Sequence, residues 1–435
     1  MSNIQTIKLE EIAEFINGGA WNQTEYSDFG IPVVRVSDIH DCTVDLKDCK
    51  YLPDSAYERY AKHELHEGDL VICTVGSHPT QPNSVVGRPG IIPKSASGAL
   101  LNQNVVCIKP RSNNLDKTWL GYFARSQYVK DYIIAHARGS ANQVRVAIGA
   151  LKSIDVPLPD IETQKQISEV LKAYDNLIEN NNRRITILEE MAQSLYREWF
   201  VKFRFPGHEN IKFIDSPLGK IPEGWEVKSV GELLEFDIGG GWGKEAPDGK
   251  HSEPGYVIRG TDLQSVWQGD IDSVPYRYHT KSNIKSRRLI KNDIIFEASG
   301  GSKGQPVGRT GLVTKELLKH IDQDLICASF CKIVRAKSAE LAHLLLNHIR
   351  FIYENGHIMK YQVQSTGISN FKFKVFLESE FMIIPDAYIR ADFLENIEKF
   401  TDMCQKLAFS NRNLKKQRDL LLPKLISGNV KIGNA

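Results

Sequence analysis

The chain has 435 residues, 41% hydrophobic and 25% charged, a length that suits two or three domains and the balance of a soluble globular protein. With 55 Lys and Arg against 53 Asp and Glu, the formal net charge is only +2, which excludes a protein that coats nucleic acid with its whole surface but leaves room for a local basic face. No run of about eighteen apolar residues occurs, so no membrane-spanning helix is expected, and the opening MSNIQTIKLEEIAEF lacks the charged start and apolar stretch of a secretory signal. Seven cysteines without a C-x-x-C pair point to reduced thiols and a cytoplasmic location rather than to disulfides or a structural zinc.

In chain order the dominant feature is an internal repeat. Glu11–Trp21 (EIAEFINGGAW) returns as Glu232–Trp242 (ELLEFDIGGGW), and Val33–Ile39 (VVRVSDI) as Val257–Leu263 (VIRGTDL). Leu65–Ile72 (LHEGDLVI) returns as Leu289–Phe296 (LIKNDIIF), and Val86–Ile92 (VGRPGII) as Val307–Val313 (VGRTGLV). Each half then reaches a strand-like segment ending in Pro157 or Pro385. Collinear matches at an offset of more than 200 residues mean two copies of a domain, not a solenoid unit. Short β-branched runs between Gly, Pro, Asn and Asp predict an α+β domain in each copy, built on a curved sheet with long loops.

After each proline the period becomes helical. Ile167, Val170, Tyr174, Leu177, Asn181, Leu188, Ala192 and Leu195 recur at three- and four-residue steps, as do Phe393, Ile397, Phe400, Cys404, Leu407, Asn411, Leu414, Leu421 and Leu425. No Gly or Pro interrupts residues 161–200 or 387–422. About forty residues at ~1.5 Å each make rods of roughly 60 Å, which overhang a domain of this size and favour helix against helix over each helix lying on its own domain. Asn181 and Asn411 take equivalent seam positions, where a buried Asn fixes register. The predicted architecture is α+β: two similar domains, 1–158 and 204–385, separated by a long antiparallel two-helix coiled coil made of a central spacer, 159–203, and a distal spacer with the C-terminal tail, 386–435. A pseudo-twofold, nearly circular organisation is expected, because Val201–Phe203 (VKF) also matches Val430–Ile432 (VKI).

This order of domain, helix, domain, helix resembles the specificity (S) subunit of type I restriction–modification systems. The resemblance is carried by Asn181–Phe200 (NNRRITILEEMAQSLYREWF), Asn411–Gly428 (NRNLKKQRDLLLPKLISG), the linker Ser216–Val227 (SPLGKIPEGWEV), and Pro157-Leu-Pro159 leading to Glu162–Ile167 (ETQKQI). It covers essentially the whole chain and is specific in the helices. It implies a non-catalytic DNA-recognition protein. Each domain would read one half of a bipartite, asymmetric double-stranded DNA target, and the helices would set the unread spacer and dock two methyltransferase (modification) subunits, which restriction/translocase subunits join. S-adenosylmethionine, ATP and Mg2+ would belong to those partners, with none bound by this chain. Two other readings stay open: a recognition subunit of a type II-like combined methyltransferase–nuclease, and a coiled-coil scaffold that does not touch DNA.

Motifs for catalysis are missing from the sequence. There is no Asn/Asp-Pro-Pro-aromatic methyltransferase motif and no phosphate-binding G-x-x-x-x-G-K-[ST]. Gly239–Lys244 (GGGWGK) has the wrong spacing and reads as a tight turn. A nuclease set of Asp then Glu-x-Lys lacks its lysine at Asp293 and Glu297–Ser299. No H-E-x-x-H or G-x-S-x-G occurs, and Cys327 and Cys331 read as buried strand cysteines.

Base reading needs Arg, Lys, Asn, Gln, Ser and Thr on loops that reach a groove. Arg35 and Ser37 with Asp38 match Arg259 and Thr261 with Asp262, either as DNA contacts or as an internal Arg–Asp brace. The loop 74–83, with Ser77, His78, Gln81 and Asn83 before Arg88, matches 298–305, with Ser299, Ser302, Lys303 and Gln305 before Arg309. Asn102 and Gln103 suit adenine or a strand end. Gly139–Arg145, with Asn142, Gln143 and Arg145, and Ser365–Lys372, with Ser369, Asn370 and Lys372, each precede the last strand of their copy. Lys281, Lys285, Arg287 and Arg288 read as a solvated basic face, and Trp21 and Trp242 as core packing, with a groove contact as the alternative for the tryptophans.

Overall fold

The structure, a computed structural model, describes residues 5–40, 42–77, 84–140, 143–300, 305–365 and 368–428. They fall into two compact units, Met1–Asn176 with Lys415–Ala435, and Leu177–Leu414. The two long helices, Ile161–Tyr196 and Ala387–Ile426, contribute residues to both units.

In the first unit four antiparallel strands run Ala13–Asn17, Val105–Pro110, Leu70–Cys73, Pro89–Ile91 in sheet order, extended by Thr43–Val44 and Ile39–His40. The second unit repeats the series as Leu234–Gly239, Cys331–Ala336, Ile294–Glu297, Thr310–Leu312. A second sheet recurs with its mixed pairing: Ile31–Val34 is parallel to Leu100–Leu101 and antiparallel to Lys50–Leu52. Its counterpart Glu253–Ile258 is parallel to Asp324–Cys327 and antiparallel to Tyr276–His279. A two-stranded sheet also recurs, Gln5–Lys8 with Asp155–Leu158 and Glu226–Ser229 with Phe381–Ile384. Shared pairings and directions establish that both units fold alike. A register shift between Leu234 and Phe236 places an extra residue in that strand, which its counterpart Ala13–Asn17 lacks.

These strands form where β-branched residues alternate or run together. The central ones, such as Leu70–Cys73 and Ile294–Glu297, are buried along their whole length, which explains their lack of polar alternation. In the first unit they pack on Trp119, Leu120 and Phe123 of the helix Lys117–Ala124. In the second unit Leu344, Leu345, Ile349 and Ile352 of Ala339–Glu354 do the same work. Each such side chain contributes about 1.5–3 kcal/mol by burial.

Both long helices start the same way. Asp160, after Pro159, accepts from the Thr163 amide at 2.8 Å; Asp386, after Pro385, accepts from the amides of Tyr388 and Ile389 at 2.9 and 3.0 Å. Gln164, with no exposed surface, fixes the first helix on its own domain. It donates to the Asn114 and Pro159 carbonyls and accepts from the Asp116 amide. In the first unit Ile167 and Leu171 share a core with Leu422, Leu425 and Ile426. In the second, Ala192 and Tyr196 share one with Phe393 and Ile397. The helices therefore pack on each other and on the domains, so the two arrangements weighed from the sequence coexist. The inward seam includes Ile178 rather than Leu177, which is 50% exposed: buried Leu171, half-buried Tyr174, buried Ile178 and buried Asn181 follow the three–four alternation of a coiled coil. The second helix runs on through Pro423, which forfeits the bond an N–H there would make to the Asp419 carbonyl, three residues before the helix ends at Ile426. Residues 430–432, matched to 201–203 in the sequence, lie outside the described residues.

Candidate nucleic-acid interface

Two chain segments distant in sequence meet on a small three-stranded sheet in each unit. In the first, Val75–Gly76 pairs with Gln143–Arg145, the inner strand of a hairpin with Arg138–Ser140. In the second, Ser299–Gly300 pairs with Ile368–Phe371, the inner strand of a hairpin with Gln362–Ser365. The loop leaving Gly76 and the 138–145 hairpin thus spring from one sheet, as do the loop leaving Gly300 and the 362–371 hairpin. The candidate residues Ser77, Gln143 and Arg145 gather in one unit, and Ser299, Ser369 and Asn370 in the other. Gln143, Arg145, Asn370 and Lys372 are exposed. Ser299 Oγ donates to Asn370 Oδ1 at 2.8 Å, and Gln362 Nε2 donates to Ser369 Oγ at 3.2 Å. The Ser77 carbonyl accepts from Ser84 Oγ at 2.7 Å, closing the base of its loop. His78, Gln81, Asn83, Asn142, Ser302 and Lys303 lie outside the described residues. Gln305 is exposed where the second loop returns.

The glycines that lead to each tryptophan make matching contacts. The Gly18 and Gly19 amides donate to the Val105 and Leu101 carbonyls; the Gly240 and Gly241 amides donate to those of Cys331 and Cys327. A Cβ on Gly18 would lie 1.9 Å from the Asn102 carbonyl oxygen, and one on Gly240 2.2 Å from that of Cys327, so backbone approach requires glycine at both. Asn102 is held there, with its Oδ1 accepting from the Asn104 amide at 3.3 Å, while Gln103 is exposed.

Several candidate cations are braces. Arg35 binds Asp38 through Nε and Nη2 at 3.1 and 2.8 Å and reaches the Asp48 carbonyl at 3.0 Å. Ser37 Oγ donates to the same carboxylate. Arg259 repeats the fork on Asp262 at 2.8 and 2.7 Å, with Thr261 in the same short turn. Each Asp is 4% exposed, so the fork compensates a buried charge and fixes the turn. Arg309 grips Glu297, itself 2% exposed, at 2.9 and 2.5 Å. That hydrogen bond raises the guanidinium above its ordinary value. Arg88 instead donates to the Ile39 and Ser84 carbonyls at 3.0 and 3.2 Å. In the basic run, Arg287 donates to the Gly239 carbonyl and Arg288 pairs with Asp324.

Trp242 corrects the core-packing expectation. It is 40% exposed, with the Arg277 guanidinium 4.9 Å from its ring centroid, whereas Trp21 packs edge-on against Tyr60 at 5.2 Å. Cys327 and Cys331 are buried strand residues, and burial pushes the Cys331 thiol up to about 12. Sequence reasoning missed Arg138, which lies opposite Arg145 across the hairpin; only the strand register reveals it.

Residues 1–190 match the family model described as the type I restriction modification DNA specificity domain. The chain is similar to type I restriction–modification specificity subunits. Across 98% of its length it is 24% identical to the type I restriction enzyme MjaIX specificity subunit of Methanocaldococcus jannaschii, spanning 93% of that protein. It is also 29% identical over 53% of its length to the putative MjaX specificity subunit of that organism, where it spans only 52% of the relative. The S subunit of the type I restriction-modification system from M. genitalium superposes with a TM-score of 0.57 at 12% identity, covering 100% of this chain and 98% of that one, which shows a shared fold. Among the described residues no helix is long and apolar enough to cross a membrane.

Proposed function

We propose that this chain is the DNA-sequence-specificity subunit of a type I restriction–modification enzyme, without catalysis of its own. One observation carries the reading: a single domain design occurs twice, and each copy places a polar loop and a polar hairpin on one small sheet. Two equivalent readers with different side chains suit a target of two different half-sequences. Base edges specify and phosphates position, so exposed amides and cations on hairpin and loop do the reading while the Arg–Asp and Arg–Glu braces hold the loops in shape.

The paired helices set the length of unread DNA between the half-sites and present the surface on which two modification subunits dock, and restriction subunits join that core. S-adenosylmethionine, ATP and Mg2+ belong to those partners. The segment charges are −2 for residues 1–160, 0 for 161–205, +1 for 206–385 and +3 for 386–435, too small for tight DNA binding by electrostatics alone. The assembled methyltransferase accordingly binds its target tightly and the isolated chain weakly. Footprinting of this chain with and without modification subunits tests the reading. Two protected tracts flanking an unread gap, seen only with the complex, are expected; one continuous protected tract, or equal protection by the lone chain, would contradict it.

A further inference from the structure

Strand register sets up a correspondence between the two small sheets that their sequences do not show. In the first unit Gly76 faces Val144 and Val75 faces Arg145. In the second, Gly300 faces Ser369 and Ser299 faces Asn370. One strand further out, Arg145 faces Arg138, and Asn370 faces Val363. The same cross-strand pair is therefore Arg138 with Arg145 in one unit and Val363 with Asn370 in the other. All four are exposed, and Val144, next to Arg145 on the opposite face, has no exposed surface. The pair thus stands on the outward face of each hairpin.

Two guanidinium groups directly across a hairpin repel each other and weaken it. Among the described residues neither forms an ion pair with a carboxylate. Arg138 donates through Nη1 to the carbonyls of Ala135 and Ala137, at 2.8 and 3.1 Å, which supply no charge. Such a pair gains from a ligand rich in acceptors, and the forked guanidinium matches the O6 and N7 edge of guanine. In the second unit Ser299 Oγ holds Asn370 Oδ1, which orients the amide and leaves Nδ2 to donate; Val363 beside it is 39% exposed. An oriented amide next to an aliphatic side chain suits the donor–acceptor edge of adenine and the thymine methyl.

We propose that this cross-strand pair determines base specificity, Arg138 and Arg145 reading a G·C pair in the first half-site and Val363 and Asn370 an A·T pair at the equivalent place in the second. The proposal rests on the DNA-reading function above. Its test is methylated-motif mapping in cells that co-express the full chain with its modification subunits, with co-purification of those subunits as the check on assembly. R145K keeps the charge and loses the fork, so discrimination at one G·C position falls about tenfold or more while methylation persists. R138V/R145N converts that position toward A·T and leaves the other half-site unchanged. An unaltered motif in R145K overturns the proposal, as does a uniform loss of methylation in an assembled R138V/R145N complex, which marks phosphate contacts. If the double variant does not assemble, R145K decides alone. A wild-type motif that is not in two parts defeats the underlying function instead, whereas a two-part motif indifferent to these variants defeats this proposal only.

Discussion

Asn181 Nδ2 donates to Asn411 Oδ1 at 2.9 Å across the two long helices, with both side chains buried and 230 residues between them in sequence. Asn411 Nδ2 in turn donates to Asn182 Oδ1 at 2.8 Å. Only one antiparallel alignment makes this polar cluster, so it selects the register of the helices there.

The two asparagines are not equivalent. Asn411→Leu removes both bonds and leaves the Asn181 amide buried without its partner, which costs about 1–3 kcal/mol. Asn181→Leu leaves the bond to Asn182 in place and costs less. The double variant is more stable than Asn411→Leu alone, since no buried amide is stranded. Denaturant or thermal melts of the three variants check this ordering.

Acid destabilises the second unit in two stages. Burial pushes His343 down to about 4, so its neutral form is the native one; the stability this supplies is complete above the unfolded value near 6.5 and is lost as pH falls toward 4. Glu380 lies lower. Burial alone would raise it, but hydrogen bonds from His348, Lys360 and Tyr361 outweigh that and hold it at about 2. Its contribution, about 3 kcal/mol, is present above roughly pH 4.5 and fades between there and 2. Glu380→Gln therefore lowers neutral-pH stability and flattens the lower stage of the acid melt, while His343→Phe flattens the upper stage; stability measured from pH 7 to pH 2 separates them.

Arg309→Ala acts through folding before it acts on DNA. It strands the buried Glu297 carboxylate and costs about 3–5 kcal/mol. Glu297→Ala with Arg309→Ala recovers much of that loss. Thermal melts of the single and double variants distinguish this brace from a surface DNA contact, whose removal would leave the melt unchanged.

The duplication, the two long helices and the paired asparagines were legible in the sequence because each is a local or collinear pattern: a repeated string, a period, a polar residue in an apolar seam. The structure bears out the α+β class and the antiparallel helix pairing within each unit. The reading sheets were harder to see. Val75 meets Arg145 through a pairing that spans seventy residues, and no local pattern encodes it. The arginines of the two Arg–Asp motifs stayed ambiguous for a different reason, since a three-residue spacing serves a brace and a DNA contact equally well. The exposed place of Trp242 is not legible in the sequence, because its ring partner, the Arg277 guanidinium, comes from the distant strand Tyr276–His279.

The helical spacer makes a geometric prediction. Four residues inserted at matched points of both long helices lengthen the rod by about 6 Å. The unread gap in the target then grows by one or two base pairs at ~3.4 Å each. Motif mapping of the insertion variant checks it, and the half-site sequences themselves stay as they were.

The most direct measurement for the account as a whole is the methylated motif of cells that express this chain with its modification subunits, before and after residues 1–158 are exchanged for the matching domain of another specificity subunit. The account predicts a two-part motif in which the exchange rewrites one half and preserves the other half and the gap. A motif in one uninterrupted block, or an exchange that alters both halves, would contradict it.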